Sequence, residues 1–109
     1  MTDYFAIVPG PVEAAPDGQT TIRVRLAGSL DLGTGGELRE ALRRVVGEGG
    51  ADRIVVDLAR VNFIDSEAIS ALIAGYHAAE DAGVTFRLTG PAGIVQRVLT
   101  VVGLTDLID

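Results

Sequence analysis

The sequence predicts an α/β domain, a mixed and mostly parallel sheet of about four strands with three to four helices, with residues 1–109 forming a single unit. Three observations carry this reading. Short strand-like segments, one alternating and one an unbroken apolar run, alternate along the chain with segments of helical period. Glycine or proline punctuates most changes of period. Apolar residues make up 48% of the chain, enough for one core without disulfides or metal.

The first strand is expected over Tyr4 to Val8, and the Pro/Gly-rich stretch from Pro9 to Gly18 reads as a turn region leading to the second. From Thr20 to Ala27, Ile22, Val24 and Leu26 alternate with Arg23 and Arg25, which gives a strand with one wet face. A turn follows at Gly28-Ser29-Leu30-Asp31. Thr34-Gly35-Gly36-Glu37 has the spacing of a capping box, with Thr34 as N-cap and Glu37 reaching back to it. The helix it opens runs to Glu48, with Leu38, Leu42, Val45 and Val46 on one face and Glu40 spaced to pair with Arg44. Gly49-Gly50 ends it.

Arg53 to Leu58 holds the unbroken apolar run Ile54-Val55-Val56, the pattern of a central strand covered on both faces. Asp65 is placed to cap a second helix that runs to about Ala82 and turns Ile69, Leu72, Ile73 and Tyr76 inward; Gly83 stops it. Val84 to Leu88 forms the fourth strand. A third helix follows Thr89-Gly90-Pro91, with Ile94, Val95, Val98, Leu99 and Val102 as its apolar side and Gly103 as its stop. Leu104 to Ile108 reads as a short terminal turn or helix. The order is β-β-α-β-α-β-α, so the opening strand pair is what makes an otherwise parallel sheet mixed.

Composition removes several function classes. Cysteine is absent, which excludes a thiol nucleophile and a Cys-based metal site. The net charge of −6 opposes binding to nucleic acid or to an anionic membrane surface. Met1-Thr2-Asp3-Tyr4 carries an acid where a signal peptide needs a basic segment, and no apolar stretch reaches membrane-spanning length. A cytoplasmic protein with a protein partner is the expectation.

Candidate chemistry is sparse. His77 is the single histidine and has no second His or Cys to complete a metal site or a triad. Gly33, Gly35 and Gly36 lack the further glycine of a dinucleotide fingerprint and the lysine of a P-loop. Asp57 ends a strand as the phosphoacceptor of a response-regulator receiver does, but the first strand carries no acid and the chain has no lysine. Asp31, Asp57 and Asp65 are candidates for a cation cluster that no spacing demands. Asp65-Ser66-Glu67 is the most informative segment. With Asp65 as cap, Ser66 occupies the first helical position, where its hydroxyl faces outward. A phosphate there would gain from the helix N-terminus and lose to the flanking carboxylates. Spacing alone also allows Ser66 to be an ordinary helix-start residue.

Taken together, these motifs resemble the STAS domain family, and within it the bacterial anti-sigma factor antagonists. Gly28-Ser29-Leu30-Asp31 resembles the family's Gly-x-Leu-Asp segment after the second strand. Ile54-Val55-Val56-Asp57-Leu58, Val61 and Phe63-Ile64-Asp65-Ser66 resemble its strand-to-helix signature, and Val101-Val102-Gly103-Leu104 keeps family order at the end. The likeness runs from about Thr20 to Ile108.

The resemblance implies a STAS fold and a binding protein rather than an enzyme. Its partner would be an anti-sigma factor, a serine kinase of the histidine-kinase-like ATPase class, which phosphorylates the residue after the signature Asp, here Ser66. The unmodified form binds the kinase and frees a sigma factor, so transcription is regulated; the phosphorylated form lets go. The implied contact surface comprises Ser29, Leu30, Asp31, Asp65, Ser66, Glu67 and Ala68. ATP belongs to the partner, so no cofactor is expected, nor direct nucleic-acid or membrane contact, and the chain would be a monomer or weak dimer. Many members follow Asp-Ser with a small hydroxyl residue and then Gly; this chain has Glu67 and Ala68. That departure favours an alternative, a constitutive STAS subunit of a stress-signalling assembly or of a lipid-transport ATPase complex.

Overall fold

A computed structural model of the chain describes residues 5–31 and 33–109, so the expectations that fall on Met1 to Tyr4 lie outside the described residues. The elements are β1 (Phe5–Ala14), β2 (Thr20–Leu30), α1 (Thr34–Glu48), β3 (Arg53–Ile64), α2 (Ser66–Asp81), β4 (Thr85–Thr89) and α3 (Gly93–Val101), followed by one 3₁₀ turn at Thr105–Leu107. This is the expected order. The four strands form one sheet in the order β1-β2-β3-β4, with β1 antiparallel to β2 and the other pairs parallel.

The two-residue period of β2 decides which side is buried. Ile22, Val24 and Leu26 share a face with Ile54, Val56 and Leu58 of β3 and with Phe86 and Leu88 of β4, and all are buried. Leu38, Leu42 and Val45 of α1, Ile69 and Leu72 of α2, and Val95 and Leu99 of α3 complete the core against it. Burial of these side chains, worth roughly 1.5–3 kcal/mol each, is the main force holding the layers together.

Helices cover that face alone. The other presents Thr21, Arg23, Arg25, Arg53, Val55, Asp57 and Arg87, so the expectation of a strand covered on both faces is corrected. Val55 is nonetheless buried, because the register sets it between Arg23 and Arg87, whose aliphatic stems flank it.

Other boundaries also move. β1 continues through Pro9, Gly10 and Pro11 to Ala14, with a register shift between Pro9 and Val12; the turn region shrinks to Ala15–Gly18, closed by Gly18 N–H donating to the Ala15 carbonyl at 2.9 Å. Prolines are tolerated there because β1 is an edge strand. Gly28 to Leu30 is strand rather than turn. At φ +90° Gly28 adopts a conformation that L side chains disfavour, and the β2–β3 register shifts beside it.

The capping box does not form. Gly33, at φ +94°, is the N-cap of α1 and makes no side-chain cap; Thr34 is already helical and buried, and among the described residues its hydroxyl has no partner. Glu40 pairs with Arg43 at 3.3 Å rather than with Arg44. On α3, Val95 and Leu99 are buried and Val98 is half-buried, but Ile94 and Val102 are exposed. At the end of the chain, Ile108 bridges to Leu88 in parallel, and Arg87 donates to Asp109 Oδ1 and to the Asp106 and Ile108 carbonyls at 2.9–3.0 Å.

Candidate functional site

The carboxyl ends of β2 and β3 lie side by side, with Leu30 opposite Ile64, and both strands lead into helices there. Open α/β sheets present ligands and partners at this end, where helix N-termini gather. The loop between β3 and α2 is fixed from two directions. Asp65 N–H donates to the Leu30 carbonyl at 3.0 Å, which ties the loop to β2. Asp65 Oδ1 accepts from Ala68 N–H at 2.9 Å, the N-cap bond that starts α2. Ser66 is therefore the first residue of a 16-residue helix, and it is exposed, as is Glu67.

The N-terminus of α1 is pressed against the same turn. A Cβ at Gly35 would sit 2.9 Å from the Glu67 carbonyl carbon and oxygen, so the backbones touch at a point where no side chain fits. Small size at residue 35 lets two helix N-termini share one end of the sheet, and their partial positive charges add near Ser66.

The remaining proposed contact residues divide by burial. Ser29 and Asp31 are partly exposed, and the Ser29 hydroxyl donates to Asn62 Oδ1 at 2.8 Å. Leu30 and Ala68 are fully buried, so neither offers a side chain to a partner; both hold the turn in place from beneath. The Ala68 methyl thus points into the core, and its departure from the family's glycine leaves the outer surface unchanged there. Asn62 and Phe63 were missed as members of this surface. A register shift between Gly28 and Ser29 lets β3 carry one extra residue, Asn62, and sets Phe63 opposite Ser29 with 44% of its surface exposed. The available signal was the broken alternation in Val61-Asn62-Phe63-Ile64, with an aromatic ring on the wrong beat.

Among the described residues no three His, Asp or Glu side chains converge on an ion position, so Asp31, Asp57 and Asp65 stay apart. Asp57 instead faces Arg23 at 3.7 Å and accepts from Ala59 N–H at 3.0 Å. His77 is exposed on α2, 3.7 Å from Glu80. Tyr76 donates its phenolic proton to Glu80 at 3.1 Å, and that hydrogen bond, with the carboxylate charge behind it, raises the Tyr76 pKa above its usual value. Both residues lie on the far part of α2, away from Ser66. No helix among the described residues is long and apolar enough to cross a membrane.

A family model described as "Mlab, STAS domain" matches residues 15–109. The chain belongs to the STAS domain family. The structure is similar to unphosphorylated SpoIIAA, an anti-sigma factor antagonist, with a TM-score of 0.80 at 21% identity, covering 95% of this chain and 86% of that one. It is similar to phosphorylated SpoIIAA of Bacillus at 0.73 and 20% identity, covering 95% and 89%. Moorella thermoacetica RsbS carrying a Ser-to-Glu substitution aligns at 0.65 and 25% identity, covering 85% and 76%. The two SpoIIAA likenesses establish the STAS fold: a mixed four-stranded sheet with three helices.

Proposed function

We propose that this STAS domain is a cytoplasmic anti-sigma factor antagonist. It binds an anti-sigma factor serine kinase, releases a sigma factor, and is switched off when Ser66 is phosphorylated. The observation that carries this reading is the exposed Ser66 at the first position of α2, two residues past the end of the strand pair in which Ser29 faces Phe63. A kinase can reach the hydroxyl without unfolding anything. The similarity to SpoIIAA in both phosphorylation states supports the same choice.

The switch is electrostatic. Phosphorylation adds about −1.5 to −2 charges at neutral pH. Asp65 and Glu67 already flank the position, and no arginine lies within ion-pair distance of either among the described residues. The helix N-terminus lets the phosphate form without breaking the cap, so the fold survives modification while the docking surface turns more negative. Incubating the protein with ATP and the candidate kinase, then measuring intact mass, tests the modification. One added phosphate is expected, located at Ser66 and absent from Ser66→Ala; an unchanged mass with an active kinase rejects the switch.

Glu67 favours a second reading. Its charge stands beside Ser66 before any modification, which suits a constitutive STAS subunit of a stress-signalling or lipid-transport assembly. Such a subunit would hold its partner whether or not ATP is present.

A further inference from the structure

The helix-free face of the sheet carries a cavity of about 410 Å³, separate from the Ser66 turn. Its walls include Ala6, Val8, Ala27 and Ala59, and two arginines, Arg25 and Arg60, line it. The chain is acidic overall, with 9 basic against 15 acidic side chains, which makes a cavity with two cations a local inversion of sign.

Strand irregularity produces this inversion. β2 and β3 pair Arg25 with Asp57 but then Ala27 with Arg60, so β3 spends one residue more than β2 between these pairs. Had the alternation continued, position 60 would face the core. The bulge turns Arg60 onto the open face beside Ala27 and returns Val61 to the interior, where it is buried. Re-aiming a side chain in this way is a recurrent use of bulges next to binding sites.

The other charges on this face are already engaged. Asp57, the single acid in the cavity lining, faces Arg23 and accepts the Ala59 N–H. Arg53 donates to Gln19 at 2.9 Å, and Arg87 holds the end of the chain. Among the described residues no hydrogen bond or ion pair engages Arg25 or Arg60. Arginine forks suit oxyanions, and methyl-lined walls suit a short hydrocarbon body. The volume falls in the lower part of the range for small-ligand pockets, about 300–1,000 Å³.

We infer that this cavity binds a small organic oxyanion, its anionic head between Arg25 and Arg60 and its apolar body against Ala6, Val8 and Ala27. The site draws on neither Ser66 nor the proposed kinase, so its test is independent of both. The probe is hexanoate, titrated into ¹⁵N-labelled protein while the arginine Nε–H resonances are followed, with 1-hexanol and inorganic phosphate as separate arms. Saturable shifts of Arg25 and Arg60 are expected with hexanoate below about 10 mM, at least about tenfold weaker response to the other two, and about tenfold weaker hexanoate binding by Arg25→Gln or Arg60→Gln. Equal response to hexanol removes the anion requirement, and equal response to phosphate removes the apolar one; either overturns the assignment. So does hexanoate binding that both variants retain, or no saturation at all. Both side chains are exposed, so unchanged melting temperatures of the variants separate lost binding from lost fold.

Discussion

At the scale of single residues, two hydroxyls at the starts of neighbouring helices have opposite fates. Ser66 is outside and free to react, whereas Thr34 is inside with its hydroxyl unpaired among the described residues. Burying a hydroxyl without a partner costs about 1–3 kcal/mol. Thr34→Val keeps the shape and removes the unpaired group, so the midpoint of urea unfolding is expected to rise by the equivalent of about 1 kcal/mol; a fall would mean the hydroxyl has a partner in solution. Asp65→Ala removes the bond to Ala68 N–H and is expected to lower stability by about 1 kcal/mol in the same measurement. An unchanged midpoint would show that the loop is held by Leu30 alone. Asp65 was legible as a cap because capping depends on three consecutive neighbours. Thr34 was not, because Gly33 at φ +94° begins the helix one residue early, and spacing carries no record of that choice. The burial of Leu30 and Ala68 was hidden for a different reason: a motif shows which residues recur together but not which way each side chain points.

At the scale of elements, the close approach of α1 to α2 is what brings two helix N-termini to Ser66. It depends on the absence of a side chain at Gly35, where an added methyl would meet the Glu67 backbone at 2.9 Å. Backbone cannot swing aside as a side-chain tip can. Gly35→Ala is therefore expected to destabilise the protein by about 1–3 kcal/mol and to shift the amide resonances of Ser66 and Glu67. Wild-type stability together with unmoved resonances would show that the helices are less tightly apposed. Periodicity placed every helix and strand in order, yet it failed on two details. On α3 the apolar positions 94, 95, 98, 99, 101 and 102 cover more than one face, and docking buries Val95 and Leu99 while leaving Val101 80% exposed. On β3 the register shifts break the alternation after Asp57, so a strand that reaches Ile64 looked as if it stopped at Leu58.

At the scale of the whole molecule, the architecture separates tasks. One face of the sheet carries the helices and the core, the opposite face carries the arginines, and the carboxyl ends of β2 and β3 present Ser66. The β-β-α-β-α-β-α order was readable because parallel strands need crossovers and each helix has a distinct apolar face. That helices occupy only one side was not readable, because Val55 is shielded by arginine stems, and an apolar run looks the same under either kind of cover. The central claim is that added charge at Ser66 ejects a partner from an otherwise unchanged fold. Its most direct test is calorimetric titration of the partner kinase with the wild-type protein, Ser66→Ala and Ser66→Asp. Ser66→Ala is predicted to bind as the wild type does, and Ser66→Asp about a hundredfold more weakly, a difference of about 2.8 kcal/mol. Equal affinities for all three folded proteins would contradict the account.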